Sequence, residues 1–318
     1  MNVEKLLEEL TLEEKASLCS GIDFWRTQPI DRLNIPSIEF CDGPHGLRAQ
    51  REAGEGEKQE DIDPNDNIKA TAFPAACLTA CSFDTSLLEE EGKYLAEEAR
   101  AEGINILLGP GNNMKRSPLC GRNFEYFSED PYLSGKLSAA YIKGLQEQGV
   151  GAALKHFAAN NQEYSRFSIN EIIDEKTLRE IYLYAFEIAI NESEPWVVMS
   201  SYNAINGVLA SENEYLLTEI LRNRYKFTGL TVSDWGAVST REKSVKAGLD
   251  LEMPASGGIN DREIVKAVRE GRLEEKYLDN AVRNVLKLIK KCLENFEPVD
   301  SYDKEEHHAF ASKLAEES

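Results

Sequence analysis

The 318-residue chain has no stretch approaching the roughly 18 consecutive apolar residues that a transmembrane helix needs. Its opening residues, MNVEKLLEELTLEEK, are charged and helix-patterned, with no apolar signal region and no small-residue cleavage site. A cytoplasmic setting is the expectation. Positive charge is scarce, with 36 Lys and Arg against 56 Asp and Glu, a net charge of −20. So acidic a surface repels phosphate backbones and anionic lipid, which makes nucleic acid and membrane poor partners and leaves a neutral substrate such as a sugar compatible. Cysteine is too thin for a disulfide framework: six residues (Cys19, Cys41, Cys77, Cys81, Cys120, Cys292), all expected to be reduced. Cys77 and Cys81 stand four apart, with no second pair or histidine run to complete a zinc site. A phosphate cradle is missing too. Gly109-Pro110-Gly111 comes nearest, but it lacks the later glycine and the helix start of a dinucleotide turn. No metal and no cofactor are expected.

What is present is a steady alternation. Hydrophobic residues make up 42% of the chain, enough for a sizeable core. Short apolar runs alternate with segments of helical period, the signature of repeated β-α units. The runs predict strands at Ser37–Phe40, Ile104–Leu108, Gly151–Leu154, Trp196–Ser200, Leu230–Ser233 and Leu249–Met253. Helices are predicted at Ser86–Glu102, Pro131–Gln148, Glu175–Asn191, Glu214–Tyr225, Thr240–Lys246, Asp261–Glu270 and Glu274–Asn295. Thr71–Ser82 reads as an additional, irregular strand region. Thr11 with Glu14 three residues on forms a capping box that opens an early helix. Gln50–Lys69, rich in Glu, Asp, Gly and Asn, reads as a long solvated excursion. No internal repeat occurs at a solenoid period. Without a Gly-rich turn after the first strand, a doubly wound sheet is disfavoured. The expected fold is a TIM-like (β/α)8 barrel, with irregularity anticipated in its first units.

The predicted strands run into chemically loaded residues. They lead into Cys41-Asp42-Gly43-Pro44 with Arg48 close behind, Leu108-Gly109-Pro110 continuing to Arg122 and Glu125, and Leu154-Lys155-His156. Ser200-Ser201-Tyr202-Asn203, Ser233-Asp234-Trp235 and Leu251-Glu252-Met253 follow. Barrel enzymes build their sites at the C-terminal strand ends, where the loops converge over one mouth. Asp42 and Asp234 offer carboxylates; Lys155 and His156 offer a cationic cluster; Arg48, Arg122 and Arg166 add fixed positive charge; Trp235 offers an aromatic face. A pyranose needs carboxylates and guanidinium groups for its hydroxyls and an apolar platform for its C–H face. A carboxylate nucleophile must stay ionised, and Lys155 and the arginines are expected to hold its pKa low.

The motifs at these positions carry a family resemblance. CDGPHGLR at 41–48, LLGPGNNMKRSPLCGRNFEYFSEDP at 107–131, GVGAALKHFAANNQE at 149–163, VVMSSYNAINGVLASEN at 197–213, VSDWGA at 232–237 and AGLDLEMP at 247–254 resemble the family 3 glycoside hydrolases, specifically the bacterial β-glucosidase group. They span nearly the whole chain in the family's order. The resemblance implies that Asp234 is the catalytic nucleophile of a retaining enzyme, forming a covalent glycosyl-aspartate from a terminal β-D-glucoside. It implies that Asp42, Arg122, Lys155, His156 and Arg166 bind the sugar ring, with Arg48 in support, Tyr202 beside the nucleophile and Trp235 in the subsite wall. Cys41 stands where relatives often carry Ser or Thr. In two-domain members the acid/base glutamate lies on a second α/β domain. This chain stops at Ala315-Glu316-Glu317-Ser318, inside a helical pattern carrying Ala309, Phe310 and Leu314. The expectation is therefore a barrel over 1–295, the start of a linker over 296–318, and a missing C-terminal partner domain. A single-domain branch uses a His/Asp pair on a barrel loop, but the loop after Phe157 reads Ala-Ala-Asn-Asn-Gln-Glu.

Plainer readings stand beside these. Asp234 could cap a helix or form a turn, Asp42-Gly43 could be a tight turn, and His156 could be a satisfied core histidine. His45 reads as a structural loop residue. Glu125, Glu163 and Glu252 are in-chain candidates for a substitute acid, although a buried glutamate at such a mouth more often orients an arginine. Cys41 or Cys120 as nucleophile lacks any supporting triad. At the level of function, a β-glucosidase competes with a non-catalytic glucose-binding barrel and, more weakly, with a metal-dependent hydrolase built on His156, Asp42 and Asp234.

Overall fold

The computed structural model describes residues 1–50, 62 and 66–318. Most of the predicted acidic excursion at 50–69 lies outside these residues. Strands β1 (Phe40–Cys41), β2 (Ile106–Leu107), β3 (Gly151–Phe157), β5 (Val197–Ser200) and β8 (Leu230–Val232) form one parallel sheet in the order β1-β2-β3-β5-β8. The connections between them carry helices, chiefly Thr85–Ala101, Pro131–Glu147, Tyr184–Ser193 and Tyr215–Arg224, the last wound at the wider π pitch. A smaller sheet of β4 (Asn170–Glu171), β6 (Ala204–Ile205) and β7 (Val208–Leu209) gathers the loops that follow β3 and β5.

The parallel sheet closes on itself. Val232 bridges Leu251 in parallel, and Glu252 bridges Ser20 in parallel. The chain then turns back, with Gly21 antiparallel to Thr27 and Arg26 antiparallel to Glu39, which returns the ladder to β1. The Phe40 amide donating to the Trp25 carbonyl (2.9 Å) and the Gly21 amide donating to the Glu252 carbonyl (3.2 Å) hold the two joints. The result is a TIM-like barrel whose first unit is an antiparallel hairpin instead of a β-α unit. The irregularity anticipated for the first units is located there.

The strands are apolar on both faces, as a helix-wrapped barrel requires. Along β5, Val197 and Met199 join the core shared with the first helices and with Glu275–Asn295, while Val198 faces the opposite cluster. Ala152 and Leu154 of β3 divide from Ala153 in the same way. The helix Glu275–Asn295 buries Leu278, Ala281, Val282, Val285, Leu286 and Ile289, a stripe at helical spacing. Helices Thr85–Ala101 and Pro131–Glu147 cross at Gly92 and Gly144. A Cβ on Gly144 would stand 2.0 Å from the Glu89 carbonyl oxygen, so the approach excludes any larger residue.

One local reading is corrected. Thr71–Ser82 is not strand: Ala76–Thr79 is a helical turn that continues into a tighter turn over Ala80–Ser82. The capping box at Thr11 and Glu14 is present in both directions. The helical pattern near the end is the helix Lys304–Glu316, which buries His307, Phe310, Ala311 and Leu314. Among the described residues no helix is long and apolar enough to cross a membrane.

Candidate active site

At the C-terminal ends of the strands lies a cavity of about 550 Å³. Asp42, Arg48, Arg122, Lys155, His156, Arg166, Tyr202, Asp234 and Trp235 all line it. Sequence reasoning had named each of these nine. Lys155 and His156 immediately precede Phe157, the last residue of β3, Tyr202 follows β5 by two positions, and Asp234 follows β8 by two. Asp42 and Arg48 sit at the ends of a loop whose main chain closes through the Arg48 amide donating to the Asp42 carbonyl (2.9 Å).

The charges are arranged in pairs. Lys155 Nζ donates to Asp42 Oδ1 at 3.0 Å and stands 3.7 Å from Glu125 Oε2. Arg48 reaches Asp42 Oδ2 at 3.6 Å from the solvent side. The Arg122 Nε donates to the Glu125 carboxylate, and its Nη2 lies 2.7 Å from His156 Nε2. Arg166 bonds Glu163 at 3.2 Å and lies 4.8 Å from the centre of the Tyr202 ring, a cation–π contact. The Tyr202 hydroxyl donates to the Trp235 carbonyl (3.0 Å), and the Trp235 indole N–H donates to the Phe24 carbonyl (2.8 Å).

Asp234 is 7% exposed. Its Oδ1 accepts from the Trp235 amide at 2.8 Å, while Oδ2 is buried without a hydrogen-bond donor, 3.6 Å from His156 Nε2. An unsatisfied buried donor or acceptor costs on the order of 1–3 kcal/mol, so Oδ2, like Trp25 Nε1 and His45 Nε2 among the residues lining the same cavity, stands in need of a partner. The expectation that neighbouring cations hold this carboxyl low is overturned. Burial raises it above the ordinary aspartate value, and Arg122, the Trp235 amide, Lys155 and Tyr202 offset only part of that rise. Asp42 goes the other way. Burial alone would raise it, but Lys155 and, more weakly, the Gly43 amide and Arg48 hold it below the ordinary range. The expected cationic cluster of Lys155 and His156 is corrected: burial and then Arg122, Lys155 and Arg166 push His156 well below the usual imidazole value, so it is neutral. The short His156–Asp234 approach is therefore not an ion pair.

The alternatives separate here. Glu125 and Glu163 are each engaged by an arginine, and Glu252 lies away from the cavity, bonded to Asn260 and 3.4 Å from Arg241. The buried Cys41 thiol donates to the Asp42 carbonyl, and burial pushes it far above the thiol range. Arg122 and Lys155, placed directly on His156 and Asp42, give the cluster the wrong charge for a divalent cation. Sequence reasoning missed Phe24, Trp25, Phe124 and Met199, which also line the cavity. Trp25 lies 5.6 Å from Trp235, ring centre to ring centre, and extends the aromatic wall. The adjacent aromatics Phe24-Trp25 were the available signal, but they precede the first predicted strand.

With this geometry described, comparison with known proteins defines the class. The model of the glycosyl hydrolase family 3 N-terminal domain matches residues 65–288, and the chain belongs to that family. It is 56% identical over its whole length to the thermostable beta-glucosidase B of Acetivibrio thermocellus, covering 42% of that protein. It is 44% identical over 95% of its length to an exo-alpha-(1->6)-L-arabinopyranosidase of Bifidobacterium breve, covering 40% of it. Among solved structures, beta-glucosidase 3B of Thermotoga neapolitana in complex with glucose superimposes with a TM-score of 0.91 at 40% identity, over 99% of this chain and 46% of that one. The chain thus spans less than half the length of these relatives.

Proposed function

We propose that this chain is the barrel of a retaining β-glucosidase, with Asp234 as the nucleophile that forms a glycosyl-aspartate on terminal β-D-glucosides. The observation that carries the reading is Asp234 Oδ2, buried and without a donor, in a cavity that also holds Asp42, Lys155, His156, Arg122 and Trp235. Asp42, held ionised by Lys155, accepts sugar hydroxyls; Arg122 and Arg166 donate to them; Trp235 with Trp25 packs on the ring. The Asp234 carboxylate then attacks the anomeric carbon as the glycosidic C–O bond breaks and its electron pair leaves with the aglycone oxygen. Water later attacks the same carbon as its bond to Asp234 breaks, and the proton that water gives up balances the one taken up by the departed aglycone oxygen. The proposal includes an acid/base glutamate supplied by a partner domain, as the family resemblance implies. Its role here is consistent with Glu125 and Glu163 being taken up by arginines. General acid–base help is worth about 10²–10⁴-fold, so the barrel alone is expected to be weak on cellobiose. A cytoplasmic location is part of the same proposal, supported by six free cysteines.

A second reading, a non-catalytic glucose-binding barrel, draws on that same engagement of Glu125 and Glu163 by arginines. A 2-deoxy-2-fluoro β-glucoside with a dinitrophenolate leaving group separates the two, because the first step then needs no acid while turnover is slow. Intact-mass analysis is expected to find one glucosyl adduct, mapping to Asp234. A folded, glucose-binding sample without adduct would establish the scaffold reading instead.

A further inference from the structure

His156 is held from three directions, and the holders agree on where its proton is. The Asn113 carboxamide meets the His156 peptide twice, Oδ1 accepting from the amide (2.9 Å) and Nδ2 donating to the carbonyl (2.8 Å). A main-chain N–H can only donate and a carbonyl can only accept, so the carboxamide has one permitted orientation. Its Oδ1 then stands 3.3 Å from the ring Nδ1. The Tyr126 hydroxyl, which receives a bond from Asn160, stands 3.2 Å from the same nitrogen. Across the ring, Arg122 Nη2 lies 2.7 Å from Nε2. A guanidinium has no lone pair to offer, so Nε2 must accept. Both sides of the ring therefore call for the same tautomer, with the proton on Nδ1 and a bare Nε2.

We propose that Asn113 is a positioning residue that fixes His156 as the Nδ1–H tautomer, so that Nε2, opposite Glu125, grips the Arg122 guanidinium beside Asp234. Arg122 is then held at both ends, Nε by a carboxylate and Nη2 by an imidazole lone pair, and its plane cannot turn without losing one of them. An imidazolium at this position would aim an N–H at Arg122, with Lys155 and Arg166 adding further positive charge around the ring. With the one Nε2 lone pair taken by Arg122, His156 acts on the site through the guanidinium that it holds beside Asp234. The catalytic consequence rests on the reading of Asp234 as nucleophile; the tautomer does not.

With only four histidines in the chain, long-range ¹H–¹⁵N correlation of the histidine-labelled protein is tractable, and His156→Gln assigns the ring. The wild-type ring is expected to be protonated at Nδ1 alone and not to titrate between roughly pH 5.5 and 8.5. In Asn113→Asp the carboxylate beside Nδ1 draws a second proton onto the ring, so His156 titrates within that range. The dinitrophenolate burst then falls, by roughly 10²-fold for a displaced Arg122, with the loss deepest at low pH and relieved as the ring deprotonates. In Asn113→Ala the tautomers mix and the loss shows no such pH recovery. A wild-type ring protonated at Nε2, or an Asn113→Asp protein with unchanged ring and burst, would overturn the proposal. Should either variant fail to fold, the wild-type spectrum decides alone. Absence of any adduct in the wild type would sink the nucleophile assignment while leaving the ring spectrum to judge Asn113.

Discussion

Asp234 is under two opposing pressures, and their balance is measurable. Burial favours its neutral form, while Arg122, foremost among the opposing groups, favours the carboxylate that must attack. The burst rate should fall as pH drops through the folded pKa. Arg122→Gln removes an offsetting cation, so that limb should move to higher pH by about one unit or more. Stopped-flow release of dinitrophenolate between pH 4 and 8 reads it, and an unmoved limb would mean that the Arg122 charge does not reach Asp234. Stability carries the complementary sign. With a folded pKa raised above 3.8, the native state binds the proton more tightly than the unfolded chain. Native stability therefore falls as pH rises through the window between the two values and stays lowered above it. Asp234→Asn, uncharged throughout, should melt above wild type at pH 7, by ~2 °C for each kcal/mol recovered, with the advantage fading as pH falls through that window and gone below about 3.8. Equal melting temperatures at both pH values would contradict the cost assigned to this buried carboxylate. The nine site residues named from the sequence were legible because they lie at predicted strand ends or in the loops beyond them, carry charge or a ring, and stand in motifs that resemble a known family. Asn113 was not legible. It stands beside Asn112 in a loop, and only the fold reveals that the Asn112 main-chain N–H serves the Lys155 carbonyl while the Asn113 side-chain carboxamide serves the His156 peptide.

At the scale of elements, period and length sufficed for the long helices and for every strand that carries a site residue. They failed at Thr71–Ser82, where a short apolar run suits either a strand or a buried helical turn and length could not arbitrate. The helix Lys304–Glu316 was visible from Phe310 and Leu314, but its docking chemistry was not. The buried His307 lies between Glu98 (2.8 Å at Nδ1) and Glu97 (3.2 Å at Nε2), ringed by Tyr94, Tyr302 and Phe73, with Glu306 bonded to Tyr94. Burial alone would lower this imidazole, but the two glutamates raise it above its ordinary value. A raised folded pKa gives stability that is complete below about 6.5, the unfolded value, and is lost as pH rises through the folded one. Amides of 304–316 should therefore lose hydrogen-exchange protection between pH 6 and 8.5, after correction for intrinsic exchange. Protection that does not change with pH would show that packing of Phe310 and Leu314 holds the helix without the charged clasp.

At the scale of the whole molecule, the least legible feature was how the barrel closes, because no periodicity marks three-residue segments that pair across the length of the chain. Ser20 meets Glu252 and Arg26 meets Glu39, and the hairpin between them carries Phe24 and Trp25 into the cavity. Closure and site wall are thus one piece of chain: the Phe24 carbonyl that caps the Trp235 indole belongs to the hairpin that completes the ring. Gly21 stands at the joint. A Cβ there would lie 2.7 Å from Met253 Sδ, 3.0 Å from the Asp23 carbonyl oxygen and 3.2 Å from the Ala255 amide nitrogen, two of them main-chain atoms with little room to move. Overpacking of this kind costs about 1–3 kcal/mol. Gly21→Ala should accordingly lower the melting temperature by ~2 °C per kcal/mol and slow the dinitrophenolate burst together, since pushing the joint apart shifts Phe24 and releases the Trp235 edge. A lower melting temperature with an unchanged burst would mean that the site wall is set by β8 alone and that the hairpin only closes the barrel.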